Sequence, residues 1–144
     1  MLTQTLIALT LALAPEPAAP APAGVLSIRM HGFRNAEGQV LVAVFRGAEG
    51  FPGDPNKAWK TAVAKVSNGR ARVDLEVPPG EYAFAVVHDE NGNNKMDTTW
   101  VGIPKEGYGT SNNAKGRFGP PKYRDAKFSV AEAGVVQQIA IVYW

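Results

Sequence analysis

Cysteine is absent from all 144 residues, and histidine occurs only at His31 and His88. The first absence excludes disulfides, thiolate metal sites and a lipid-modified N-terminal Cys, so the fold must rest on an apolar core or on bound metal. The second makes a tetrahedral zinc site hard to assemble. Long apolar runs are missing too: residues 2–14 fall well short of the roughly 20 that span a bilayer, so the mature chain is expected to have no transmembrane segment. With 15 Lys and Arg against 13 Asp and Glu, the formal charge is only +2. That excess is too small to make nucleic acid the main partner. No Gly-x-Ser-x-Gly elbow is present, which argues against serine hydrolase chemistry.

What the chain does have begins with an apolar stretch, residues 1–14, followed by a Pro/Ala tract over 15–23. Such a tract packs neither as helix nor as strand, and the pair reads as a secretory signal peptide with a linker. No Lys or Arg precedes the apolar run. Cleavage after Ala23 leaves a single domain over 24–144, removes only Glu16 among the charged residues and raises the balance to +3. A periplasmic or secreted location follows as an expectation.

After residue 24 the apolar spacing of helices gives way to that of strands. Leu26, Ile28 and Met30 alternate with Ser27, Arg29 and His31, while 39–46 is a continuous apolar run suited to a central strand. A weaker strand is expected over 58–66. Residues 70–77 alternate cleanly, with Ala71, Val73, Leu75 and Val77 on one face and Arg70, Arg72, Asp74 and Glu76 on the other. Pro78-Pro79-Gly80 then turns the chain into 81–88, where Tyr82, Phe84, Val86 and His88 share a face. Tyr82 has the placement of a tyrosine that locks a strand corner in sandwich domains. Strands over 126–130 and 135–144, around a turn at 132–134, complete an all-β, seven-stranded antiparallel β-sandwich. A partly open barrel is the competing architecture. Residues 89–125 show almost no regular pattern, and loops of that length usually bind something or are disordered.

The start of this loop carries the clearest chemistry. Asp89, Asn91, Asn93 and Asp97 fall at positions 1, 3, 5 and 9 of a calcium-binding loop, and Lys95 at position 7 would offer its backbone carbonyl. Glu90 would point away. Position 6, usually Gly, is Asn94, which tolerates a left-handed backbone. Position 12, usually a bidentate Glu, is Trp100, so a calcium site here would be weak, on the order of 10⁻⁴ to 10⁻³ M. The alternative is a plain turn, in which Asp and Asn side chains bond to nearby backbone amides.

His88 precedes this loop on the strand face. It is either a hydrogen-bonded pin for the loop or, with Asp89 and Glu106, the centre of a metal-dependent enzyme. Farther on, Trp100, Tyr108, Phe118 and Tyr123 lie among glycines with Lys105, Ser111, Asn112 and Asn113. Aromatic faces beside amides and hydroxyls suit a glycan, a peptide or another cell-envelope component. Cations at Lys105, Lys115, Arg117, Lys122 and Arg124 outweigh Glu106 and Asp125 and favour anionic ligands. Alternatively, the aromatics cap an open end of the sandwich.

Five blocks carry a resemblance: Pro-Pro-Gly-Glu-Tyr-Ala at 78–83, His-Asp-Glu-Asn-Gly-Asn at 88–93, Gly-Ile-Pro-Lys-Glu-Gly-Tyr-Gly at 102–109, Ser-Asn-Asn-Ala at 111–114 and Phe-Gly-Pro-Pro at 118–121. In this order they resemble the bacterial domain-of-unknown-function family 2141 over roughly residues 25–144. The resemblance implies small exported bacterial proteins with a transthyretin-like or immunoglobulin-like sandwich and no assigned activity. No segment supplies an evident nucleophile or a paired acid and base, so a non-catalytic binding or accessory module is the favoured reading.

Overall fold

The computed structural model describes residues 24–144, so the expected signal peptide and linker lie outside the described residues. Eight strands form: β1 (Val25–His31), β2 (Gln39–Phe45), β3 (Lys60–Ala64), β4 (Arg70–Glu76), β5 (Gly80–Asp89), β6 (Gly107–Thr110), β7 (Phe128–Val130) and β8 (Val135–Ala140). Among the described residues, one four-residue helix, α1 (Tyr123–Ala126), and two 3-10 turns at Pro55–Lys57 and Ser111–Asn113 are the helical pieces. Among the described residues no helix is long and apolar enough to cross a membrane.

The strands make two packed sheets, so the chain is an all-β sandwich. One sheet has the order β4-β1-β8, the other β3-β2-β5-β6, with β7 paired to the start of β5. Alternation in the sequence becomes alternation in burial. Along β4 Ala71, Val73 and Leu75 face inward while Arg70, Arg72, Asp74 and Glu76 face water, because successive strand residues point to opposite sides. The core joins Leu26, Ile28 and Met30 of one sheet to Val40, Val42, Val44, Tyr82, Phe84 and Val86 of the other. Burying each of these aliphatic side chains contributes about 2 kcal/mol against its exposed state. The Tyr82 hydroxyl donates to the Pro78 carbonyl at 2.6 Å and the ring is fully buried, so it locks the corner into β5.

Two departures from the sequence expectation bear on the site. The structure has eight strands rather than seven, because β6 lies inside the stretch expected to be irregular. Nor do β7 and β8 pair around their turn: β7 joins β5, whereas β8 runs parallel to β1, from Leu26↔Val135 to His31↔Ala140. The sandwich is therefore not wholly antiparallel. Beyond β8 the chain crosses between the sheets. Ile141 N–H donates to the His31 carbonyl at 2.8 Å, and Val142 exchanges backbone hydrogen bonds with Tyr108 of β6. This crossing closes one side of the sandwich and brings Tyr143 to the end of β5, where the acidic loop starts.

Candidate functional site

At the end of β5 the alternation that buries Tyr82, Phe84 and Val86 also buries His88, and Asp89 beside it is equally inaccessible. Buried polar groups must find partners, since each one left unpaired costs about 1–3 kcal/mol. His88 finds two. Its Nε2 lies 2.8 Å from the Glu37 carbonyl and its Nδ1 lies 2.7 Å from the Tyr143 hydroxyl. A carbonyl only accepts, so Nε2 carries a proton, and in the neutral ring the Tyr143 hydroxyl donates to Nδ1. Phe33 packs edge-on against the imidazole. Both nitrogens are spent on pinning the β1–β2 connection and the C-terminal segment to the sheet.

Asp89 is spent in the same way. Its Oδ1 accepts from Asn93 N–H at 3.2 Å, and its Oδ2 accepts from Asn94 N–H at 2.9 Å and from Gln39 Nε2 at 2.8 Å. The carboxylate thus holds the loop backbone as an Asp in a tight turn does. Asn91 Oδ1 and Asn93 Oδ1 repeat the pattern, accepting from the N–H of Asn93 and of Lys95, each at 3.2 Å. Their amide nitrogens both donate to Asp97, from Asn91 at 2.6 Å and from Asn93 at 2.8 and 3.0 Å. The side chains of Asn91, Asn93 and Asp97 do meet, while Asp89 faces the backbone. Asn94 takes the left-handed conformation, φ 63°, expected at position 6.

Glu106 closes the base of the loop. Its Oε2 accepts from Glu90 N–H at 2.6 Å and its Oε1 from Asp97 N–H at 3.0 Å. It also sits beside the Asp97 carboxylate. Burial, reinforced by that neighbouring charge, raises its pKa above the ordinary 4.5 despite the two N–H donors. The hydrogen bonds from Asn93 and Asn91 hold Asp97 below its ordinary 3.8. Glu90 does point away: it binds Arg34, whose guanidinium lies 4.4 Å from the Tyr143 ring centre, and it accepts from Asn35 Nδ2 at 2.7 Å. Burial opposes its ionisation, but these donors outweigh burial and its pKa is lowered. The β1–β2 connection approaches so closely that a side chain on Gly38, itself at φ +66°, would collide with the Asp89 carbonyl and the Glu90 backbone.

Above this base the chain makes a small hairpin. Lys105 N–H donates to the Asp97 carbonyl, Thr98 bridges Pro104, and Thr99 N–H donates to the Ile103 carbonyl at 2.8 Å. Gly102, at φ +86°, completes the turn. Its tip is apolar. Trp100 is 97% exposed, Val101 58% and Ile103 47%, and Phe118 in the following loop is fully exposed. Large apolar side chains held in water on a hydrogen-bonded turn have no role in the core.

Most of the other sequence candidates bond within the fold. Ser111 Oγ donates to the Ala126 carbonyl at 2.6 Å and accepts from Phe84 N–H at 3.0 Å, fully buried. Asn112 donates to the Lys127 carbonyl at 2.9 Å and pairs with Gln137, while Asn113 Oδ1 accepts from Ala140 N–H at 2.9 Å. These three knot the segment after β6 to β8 and to the α1–β7 corner. Tyr108 is half-buried in β6, and Lys105 is exposed at the foot of the hairpin.

Among the described residues no group of three or more His, Cys, Asp or Glu side chains is placed to hold a metal ion. The metal-dependent enzyme centred on His88, Asp89 and Glu106 is therefore not favoured: each of the three is committed to backbone hydrogen bonds. Reading the sequence alone missed Arg34, Asn35, Gly38, Gln39 and Tyr143, which surround the loop base. Only Gly38, one residue before an apolar run, carried a local signal. A family model described as "Uncharacterized protein conserved in bacteria (DUF2141)" matches residues 28–138. No curated protein and no solved structure matches the chain.

Proposed function

Because the chain belongs to the DUF2141 family, for which no activity is described, we propose from its own chemistry that it is an exported, non-catalytic binding module. Its ligand is a glycan or peptide of the cell envelope, taken up by the exposed hairpin Trp100–Ile103 with Phe118. One contrast carries this reading: the polar groups suited to catalysis are internally bonded, whereas Trp100 stands 97% exposed at a backbone-fixed tip. An aromatic face in water is a ready stacking surface for a sugar ring or an extended peptide. Lys105, at the foot of the hairpin, supplies a cation for orientation.

The test is co-sedimentation with isolated bacterial sacculi, which carry both glycan and peptide. The wild-type protein should pellet with them, and Trp100→Ala combined with Ile103→Ala should stay in the supernatant. Equal pelleting of both would reject the hairpin as the binding element. Export is checked separately by mass spectrometry of protein recovered from cells, where a mature N-terminus at Gly24 is expected.

Calcium belongs to the same proposal as a stabiliser of the loop base. Its support is the juxtaposed Asp97 and Glu106 carboxylates with Asn91 and Asn93 on Asp97. A hard cation between the acids would remove their repulsion, with the amides turning their oxygens inward. Millimolar calcium should raise the thermal midpoint, and Asp97→Ala should abolish most of that rise. An unchanged midpoint would retire calcium and leave the turn as hydrogen-bonded scaffolding.

A further inference from the structure

A second surface lies on the three-stranded sheet. Arg29 and Arg72 face each other directly across the β1–β4 ladder, and two residues along it His31 faces Arg70. Cross-strand neighbours sit about 5 Å apart, so the guanidiniums gather here, with the Asp74 carboxylate bonded to Arg72 and its charge also felt by Arg29. The arrangement is also concave. Arg29, His31, Arg70, Arg72, Lys65 and Gln138 are prominent in the lining of a cleft of about 480 Å³. One wall is the tight turn Ser67-Asn68-Gly69-Arg70, closed by Ser67 N–H to the Arg70 carbonyl at 2.8 Å. Lys65, just before it, is steadied by a 3.1 Å hydrogen bond from Nζ to the Gly38 carbonyl.

The acids of β4 fall at the other end of the same face. Asp74 lies two residues beyond Arg72 and engages it at 3.0 Å, and Glu76 lies farther still. The face is thus polarised, with four Arg and Lys side chains lining the cleft and Asp74 a competing anion at Arg72. We propose that this cleft binds a compact molecule bearing clustered phosphate groups. Guanidinium forks match phosphate oxygens in pairs, and three of them on one rigid ladder suit an anion with several such groups. Apart from the His31 imidazole the lining has no ring on which a nucleobase could stack, which disfavours single-stranded nucleic acid. Its concavity suits a discrete anion better than the plane of a bilayer.

Isothermal titration of the full-length protein with tripolyphosphate at low ionic strength tests this. Saturable binding is expected, weakened at least tenfold in Arg70→Ala combined with Arg72→Ala, both solvent-facing positions that leave the core intact. Asp74→Asn should tighten binding severalfold by releasing Arg72. Lys115→Ala combined with Arg117→Ala, outside the cleft lining, should leave it unchanged. Absent binding, or equal weakening by both double variants, would overturn the proposal. So would arginine-dependent pelleting with phosphatidylglycerol vesicles in a protein that ignores tripolyphosphate. None of these readouts depends on the hairpin.

Discussion

The loop base and the hairpin above it are separated by only a few residues, yet they use their side chains in opposite ways. At the base, His88, Asp89 and Glu106 are buried and each polar atom named above reaches backbone or a fixed side chain. At the tip, Trp100, Val101 and Ile103 sit on a turn held by backbone hydrogen bonds and by the Thr99 hydroxyl, and their side chains are exposed. The contrast teaches that an acidic, histidine-bearing motif can be the rigid footing of an exposed apolar turn. Substitutions at the base should therefore change stability, and substitutions at the tip should change binding.

The largest effect is expected at Gly38. Any side chain there meets the Asp89 carbonyl and the Glu90 backbone and must also adopt positive φ. Gly38→Ala should cost about 3 kcal/mol or more in urea unfolding. A loss below about 1 kcal/mol would mean that the two loops are not in close contact. His88→Phe keeps an aromatic ring, slightly larger, but removes the hydrogen bonds to the Glu37 carbonyl and the Tyr143 hydroxyl. A loss of about 2 kcal/mol is expected in the same measurement.

The two facing acids should respond to pH with opposite signs. Asp97 is held below its ordinary value, so its contribution is present above about pH 4 and disappears as the pH falls through its folded pKa. Glu106 is held above its ordinary value, so its ionisation costs stability as the pH rises through and beyond 4.5. Wild type minus Asp97→Asn should thus gain stability as pH rises, and wild type minus Glu106→Gln should lose it. Denaturation at a series of pH values reads both differences, and equal signs would break the assignment. The smallest effect on stability is expected at the tip, where Trp100→Ala should stay within about 0.5 kcal/mol of wild type.

Much of the scaffold was legible because its signals are local. Alternation located β1, β4 and β5, Pro78-Pro79-Gly80 located the corner, and Tyr82 announced its own role. The four residues of β6, two of them Gly, offer no alternation and gain strand geometry only by lying between β5 and Val142. The parallel partner of β8 was hidden because turn chemistry at 132–134 does not say which sheet the chain enters next. At the site, the oxygen spacing from Asp89 to Asp97 correctly marked a structured loop. The bonds of those oxygens to nearby backbone amides match the turn alternative, whereas the long-range partners of the loop base, Gln39, Arg34 and Tyr143, arrive from about 50 residues away or more and were not legible.

Iodide quenching of Trp100 fluorescence, in a protein carrying Trp59→Phe and Trp144→Phe, reports most directly on whether the hairpin tip is the working surface. Free protein should be quenched like an indole in water, and saturating solubilised sacculus fragments should shield it and shift its emission to the blue. Emission that stays fully quenchable while the protein is bound would show that the ligand lies elsewhere.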